Sequence, residues 1–338
     1  MTNNVFGVDL GTCNIKIYDR HADQIYKEKN IIAIANKKDV FAIGDEAFEM
    51  YEKAPANINV FFPMNNGVIS NINAMQQLLS KFLNRHSKGN LKGSEFIMTF
   101  SNDITEVEKK AFHDVVLNSN FKPKQVDMVE KAVADAVGLG VDVKSAKGVM
   151  IINIGADTTE IAIISLGGIV ISRLIHVGGN QLDEDIQNVL KREYNFYIGD
   201  KTAENLKKQL ACATDCEESS AKAYGIDVVT GLPVEVDVPA SLIFEAISDH
   251  LHTIIDSVKI ILERTPPELA ADIVANGVYV TGGSSRIRNL DKFIRKETNL
   301  KANIVEEPEE SVVRGLATII ADDSLRSLNF VRQTRVYH

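Results

Sequence analysis

From residue 4 to residue 19 the chain reads NVFGVDLGTCNIKIYD, with apolar and polar residues alternating on both sides of a Gly-Thr pair. Alternation at period two marks a strand, and two such runs joined at a short glycine turn predict a hairpin. About 145 residues later the device returns in longer form. Residues 148–177, GVMIINIGADTTEIAIISLGGIVISRLIHV, hold three β-branched runs separated by Gly-Ala-Asp-Thr-Thr and by Gly-Gly, which predicts three strands. Helical spacing appears between and after these runs. In TEVEKKAFHDVVL, residues 105–117, Thr105 and Glu108 have the spacing of a capping box. Downstream, Ile243, Ile247, Leu251, Ile254, Val258 and Ile261 form an apolar stripe bracketed by Pro239 and Pro266. The stretch MVEKAVADAVGLG, residues 128–140, reads as the start of an amphipathic helix, with Glu130 beside Lys131 at its opening and Asp135 among small apolar residues. Residues 278–296, VYVTGGSSRIRNLDKFIRK, predict a buried strand, a Gly-Gly turn with serines and a helix. Small residues at such a turn let a ligand approach the backbone closely.

Strands alternating with helices place the chain in the α/β class. A strand, polar glycine turn and strand at the start of each half imply two similar lobes facing a shared ligand cleft. The length of 338 residues, with 45% hydrophobic and 25% charged residues, accommodates two cores. A net charge of −9 argues against general nucleic-acid binding, which needs a basic face. Three cysteines, Cys13, Cys212 and Cys216, make neither a disulfide framework nor a four-ligand zinc set, which fits a reducing cytoplasm. The N-terminus runs straight into a strand without a leader pattern. No stretch approaches the roughly 18 uncharged apolar residues of a membrane span.

Each glycine turn alone is ordinary. In order along the chain, Asp9, Gly11 and Thr12, then Gly155, Thr158 and Thr159, then VTGGSS resemble the ATPase fold shared by actin, sugar kinases and heat-shock chaperones. No dinucleotide fingerprint competes, because GLG at 138–140 lacks a third glycine and follows a helix. Within that superfamily the chain resembles MreB, the bacterial actin, over nearly its whole length. VDLGTCNIKIYD, ISLGGIVISR, HVGGNQLDEDI, IGDKTAENLK, VTGLP and VYVTGGSSRIRNLDKFI stand close to the family's wording, in its order and spacing.

The resemblance implies an actin-like ATPase fold with a nucleotide cleft between its lobes. The first lobe would span 1–145, with a small insertion at about 30–75 and the segment 320–338 packing back on it. The second would span 146–319, with an insertion at about 182–240. ATP or ADP would be the cofactor, with Mg²⁺. Thr12, Cys13 and Asn14, beside Gly11, would offer donors to the β-phosphate. Gly155, Ala156, Asp157 and Thr158 would approach the β- and γ-phosphates, with Asn153 at the turn's entry and Gly178 and Gly179 nearby. Asp9 would help hold a hydrated Mg²⁺. Glu204, Asn205 and Lys207 would contact the nucleoside, and Gly282, Gly283, Ser284 and Ser285 would lie along the adenosine. Lys16 occupies a place that is usually apolar in MreB but is a phosphate-touching lysine in actin; the other reading of it is a solvated strand lysine.

Three departures from the family fall on catalytic positions. Where MreB reads Glu-Glu-Pro-Met-Ala-Ala-Ala-Ile-Gly, this chain reads EKAVADAVG, so Lys131 replaces the glutamate taken to position or deprotonate the attacking water. An ammonium has no lone pair to accept that proton. Val-Asp-Ile-Gly-Gly-Gly-Thr-Thr-Glu becomes INIGADTTE, which puts Asn153 at the aspartate near Mg²⁺ and Asp157 at the third glycine. The family's three residues carry −2 together, whereas Lys131, Asn153 and Asp157 are jointly neutral. Lys131 would then pair with Asp157 or the γ-phosphate, and hydrolysis would be slow. Glu130 or Asp135 is the alternative base, and Thr158 completes the catalytic positions. A third reading has Lys131 solvated and the nucleotide bound poorly.

The function implied is that of an MreB-like filament protein governing cell shape, or helicity and swimming in a wall-less cell. It would be at most a weak ATPase, and self-association would be the main contact, with other MreB paralogues as further partners. Filament contacts are heterologous, which permits open polymers. A small-molecule kinase of the same fold is the rival, although no sugar-kinase signature is present. A chaperone is disfavoured because the chain ends at His338 without a substrate-binding domain. The loop SKGNLKGSE is polar, which leaves SLRSLNFVRQTRVYH as the candidate membrane segment. There Arg326, Arg332 and Arg335 alternate with Leu328, Phe330, Val331 and Tyr337. The other reading of it is a frayed terminus or a partner-binding tail.

Overall fold

The computed structural model describes residues 4–87, 91–214 and 218–331. Cys216, Arg332, Arg335, Tyr337 and the Lys-Gly-Asn part of the polar loop beyond Ser87 lie outside the described residues, as do the side chains of Phe330 and Val331. The chain divides into two compact units: 1–147 with 164–174 and 309–338, and 148–163 with 175–308.

The first unit is built on a six-stranded sheet ordered Phe330–Val331, Gln125–Glu130, Glu95–Phe100, Val5–Leu10, Asn14–Asp19, Gln24–Lys29. Val5–Leu10 pairs antiparallel with Asn14–Asp19, as the alternation predicts, and parallel with Glu95–Phe100. All six residues of Val5–Leu10 are buried, including Asp9. The polar positions of that strand therefore face covered protein, as expected for parallel sheets with both faces packed. Phe6, Phe82, Phe96, Met98 and Phe112 form the core around it, with the Phe6 and Phe96 rings stacked at 5.3 Å. A three-stranded sheet of Asp39–Ile43, Ile32–Ala35 and Ile58–Phe61 carries its own small core of Ile31, Ala33, Ala42 and Ala47.

The stretch 128–140 departs from its sequence reading. Gln125–Glu130 is a strand paired in parallel with Glu95–Phe100, and the helix is only Lys131–Gly138. The strand wins because Val126 and Met128 point into the core and their partners lie about thirty residues back along the chain. The helix packs against Ser311–Ala321 so closely that a Cβ on Gly138 would overlap the Ser311 carbonyl, and one on Gly315 the Ala134 carbonyl.

The second unit centres on a five-stranded sheet, Gly168–Ile175, Thr159–Ser165, Val149–Ile154, Val278–Thr281, Ala302–Ile304, although residues 164–174 group with the first unit. The stripe from Ile243 to Ile261 is buried on the helix Ala240–Glu263. After Val278–Thr281 a 3₁₀ turn, Gly283–Arg286, comes before the helix Leu290–Thr298. A second three-stranded sheet joins Phe196–Tyr197, Ser220–Asp227 and Pro233–Pro239.

Thr105 caps Glu106–Leu117 in the expected reciprocal arrangement, its side chain accepting from Glu108 and the Glu108 carboxylate accepting from the Thr105 N–H at 2.7 Å. Thr105→Ala is expected to cost about 1 kcal/mol. Urea unfolding of the two proteins checks it, and an unchanged midpoint would show that the cap carries no net stability.

Candidate functional site

The two glycine turns close with the same bond. Gly11 N–H donates to the Asn14 carbonyl at 3.0 Å, and Gly155 N–H donates to the Thr158 carbonyl at 2.8 Å. The residue two places before each glycine also meets a threonine on the neighbouring parallel strand. Val8 aligns with Met98, which sets Asp9 beside Thr99, and Asn153 aligns with Thr281. Thr99 donates to Asp9 Oδ1 at 3.2 Å, and the Asn153 amide donates to the Thr281 hydroxyl at 3.0 Å. The duplication visible in the sequence thus extends to side-chain hydrogen bonds.

In the first unit, residues 11–14 are half-buried. Asn30 braces the turn, its N–H donating to the Cys13 carbonyl at 2.9 Å and its side chain to the Gly11 carbonyl at 2.8 Å. Lys29 Nζ lies 3.2 Å from Cys13 Sγ.

Lys16 is not a solvated strand lysine. It sits directly opposite Asp9 in the hairpin, 8% exposed, with Nζ 2.9 Å from Asp9 Oδ2. Burial lifts the Asp9 carboxyl, but Lys16 and then Lys131, with hydrogen bonds from Lys16 and Thr99, outweigh it and hold the group below its ordinary value. The first unit therefore sets Lys16 and Thr99 against the Asp9 carboxylate, with the charge of Lys131 also acting on it.

Lys131 is half-buried at the first position of its helix. Of the two alternative bases, Asp135 is fully buried in the helix. Glu130 ends the preceding strand, half-buried, and burial pushes its carboxyl up against the pull of Lys109.

In the second unit three glycine segments converge. Gly179 N–H donates to the Gly155 carbonyl at 3.0 Å, and the Ser284 hydroxyl donates to the same carbonyl at 2.9 Å. Gly282 has φ +82, and a Cβ there would strike the Ile154 backbone, so glycine alone suits this approach. Asp157 is held within the unit by Asn180, whose amide donates to Oδ1 at 2.6 Å. Lys207 Nζ donates to the Gly179 carbonyl at 2.7 Å and to Asp183 Oδ2 at 2.6 Å. Glu204 pairs with Lys208 at 2.8 Å, and Asn205 is exposed one position round the helix. Thr99, Asn180 and Asp183 were not singled out from the sequence. The last two lie inside HVGGNQLDEDI, whereas Thr99 had no local signal.

Burial pushes the Asp183 carboxyl up to about 6, against the pull of Lys207. Because this lies above the ordinary 3.8, the group favours the native state at low pH, and that contribution fades as pH rises through about 6. Lys207→Met leaves the carboxylate buried without its cation, an expected loss of about 3–5 kcal/mol near pH 8 that is largely recovered near pH 5 as Asp183 takes up a proton. Melting curves at the two pH values test this. Equal losses at both would place the effect in packing instead of charge.

A donor set for a divalent cation is not evident around Asp9, since both its oxygens already accept bonds from Lys16 and Thr99. Among the described residues no group of three His, Cys, Asp or Glu side chains is placed to hold a metal. The sequence expectation that Asp9 helps hold Mg²⁺ is at odds with this geometry.

The comparisons agree with the duplicated architecture. The MreB/Mbl protein family matches residues 3–327. The cell shape-determining protein Mbl of Bacillus subtilis is 33% identical over 317 residues, covering 93% of this chain and 95% of Mbl. The cell shape-determining protein MreB of Escherichia coli K12 is 33% identical over 323 residues, covering 93% and 92%. Crystal structures of MreB5 of Spiroplasma citri, 34% identical, superpose with TM-scores of 0.89 for the ADP-bound form and 0.90 for the AMPPNP-bound form. They cover 94% and 97% of this chain, and 96% and 98% of their own. The two units, each a mixed sheet flanked by helices, are those of the actin-like ATPase fold, and the chain belongs to the MreB/Mbl family.

Proposed function

We propose that this chain binds ATP or ADP and polymerises into cytoskeletal filaments that govern cell shape, with little or no ATP hydrolysis. Family membership over residues 3–327, together with two phosphate turns closed by the same hydrogen bond, supports the nucleotide and filament parts. The observation that carries the slow hydrolysis is Lys131. It stands half-buried at the position that the family resemblance assigns to the glutamate, and its charge acts on Asp9. A lysine so placed stabilises phosphate charge but cannot take a proton from water.

The likeness to MreB5 of Spiroplasma citri supports a specialised paralogue with a role in helicity or swimming. The main partner is a second copy of the chain, and other MreB paralogues are the natural co-polymers. A cytoplasmic filament at the inner face of the membrane fits the family. Among the described residues no helix is long and apolar enough to cross a membrane. Within the tail, the Phe330–Val331 backbone pairs with Asp127 and Met128 in the sheet.

Sedimentation with ATP tests the reading against its rival, a small-molecule kinase of the same fold. Nucleotide-dependent protein in the pellet is the expected result. Soluble monomer that consumes ATP only when a small hydroxylated substrate is added would replace the filament reading with the kinase.

A further inference from the structure

Asp9 is the residue that the family resemblance assigns to a hydrated dication, and its surroundings suit an ammonium instead. A carboxylate that serves Mg²⁺ offers its oxygens to the metal or to the metal's water shell, with other oxygen ligands close by. Here Oδ2 takes Lys16 Nζ at 2.9 Å and Oδ1 takes the Thr99 hydroxyl at 3.2 Å. The two charged side chains expose only 9% and 3% of their surface. Together they are neutral, so the attraction that would draw a dication to Asp9 is already spent on Lys16. The second acidic position of the family is Asn153, whose amide group donates to Thr281 and brings no negative charge.

Resting on the nucleotide reading above, we propose that this chain binds its nucleotide without a divalent cation, with the Lys16 ammonium supplying beside the first phosphate turn the positive charge that a metal would bring. Lys16 lies two residues beyond Asn14, the last residue of that turn. Asp9 and the hairpin register fix its ammonium before any ligand arrives, so little side-chain freedom is left to lose on binding. The polyphosphate becomes a second anion for a lysine that is already in place.

The test is the affinity for ATP, read by calorimetry on the full chain with excess Mg²⁺ and again with excess chelator. The expected result is an affinity that changes less than about twofold, whereas a metal-dependent site loses tenfold or more, equivalent to about 1.4 kcal/mol. Lys16→Met, checked for folding by its melting curve, is expected to bind weakly in chelator and to regain affinity when Mg²⁺ is added. A native protein that loses tenfold or more in chelator would overturn the proposal while leaving the nucleotide reading intact. Absence of binding with and without metal would overturn both.

Discussion

Lys131→Glu combined with Asn153→Asp is expected to raise phosphate release from ATP by about 10²- to 10⁴-fold, the usual contribution of a positioned general base. The first change restores a carboxylate at the head of the helix Lys131–Gly138, where the native ammonium can only attract charge. The second restores the acidic residue in the duplicated turn. It is close to isosteric, and an aspartate can accept from the Thr281 hydroxyl as Asp9 accepts from Thr99. Asn153 lies within the strand Val149–Ile154, and Lys131 opens the helix Lys131–Gly138. Phosphate release under polymerising conditions, compared with the native chain, reads the effect. Brisk release from the native chain that falls in Glu130→Gln would transfer the role of base to Glu130 and remove the account of Lys131.

Gly315→Ala is expected to unfold the first unit or to destabilise it by more than about 3 kcal/mol, beyond ordinary overpacking. The added methyl would overlap the Ala134 carbonyl, and the matching glycine, Gly138, already lies against the Ser311 carbonyl. Both obstacles are backbone, so no rotamer change relieves them, and the helices must separate. The helix displaced is the one that starts at Lys131, so the variant would also misplace the residue proposed to silence hydrolysis. Thermal melting checks the effect. A variant melting within about two degrees of the native protein, a change of no more than about 1 kcal/mol for a domain of this size, would contradict the contact.

Much of this was legible in the residues because it is local. Alternation marks both hairpins, Thr105 and Glu108 mark a helix start, and the isoleucine stripe marks the long helix of the second unit. The losses are non-local. Gln125–Glu130 is a strand because Glu95–Phe100 lies beside it, and nothing within MVEKAVADAVGLG reports that neighbour. Thr99 reaches Asp9 through parallel register alone. The Asp9–Lys16 pair was within reach of counting, since a turn closed between Gly11 and Asn14 places Leu10 opposite Ile15 and Asp9 opposite Lys16. The family pattern drew attention to Asp9 as a metal residue and away from the lysine facing it. The position of Lys131 came from motif spacing, but its action on Asp9 needed the fold.

The most direct test of the central claim follows polymer mass and released phosphate together on the native chain supplied with ATP. The account predicts filaments that assemble while phosphate stays near background, with the same mass of polymer when a non-hydrolysable ATP analogue is supplied. Phosphate released in step with assembly, one per subunit added, would contradict it.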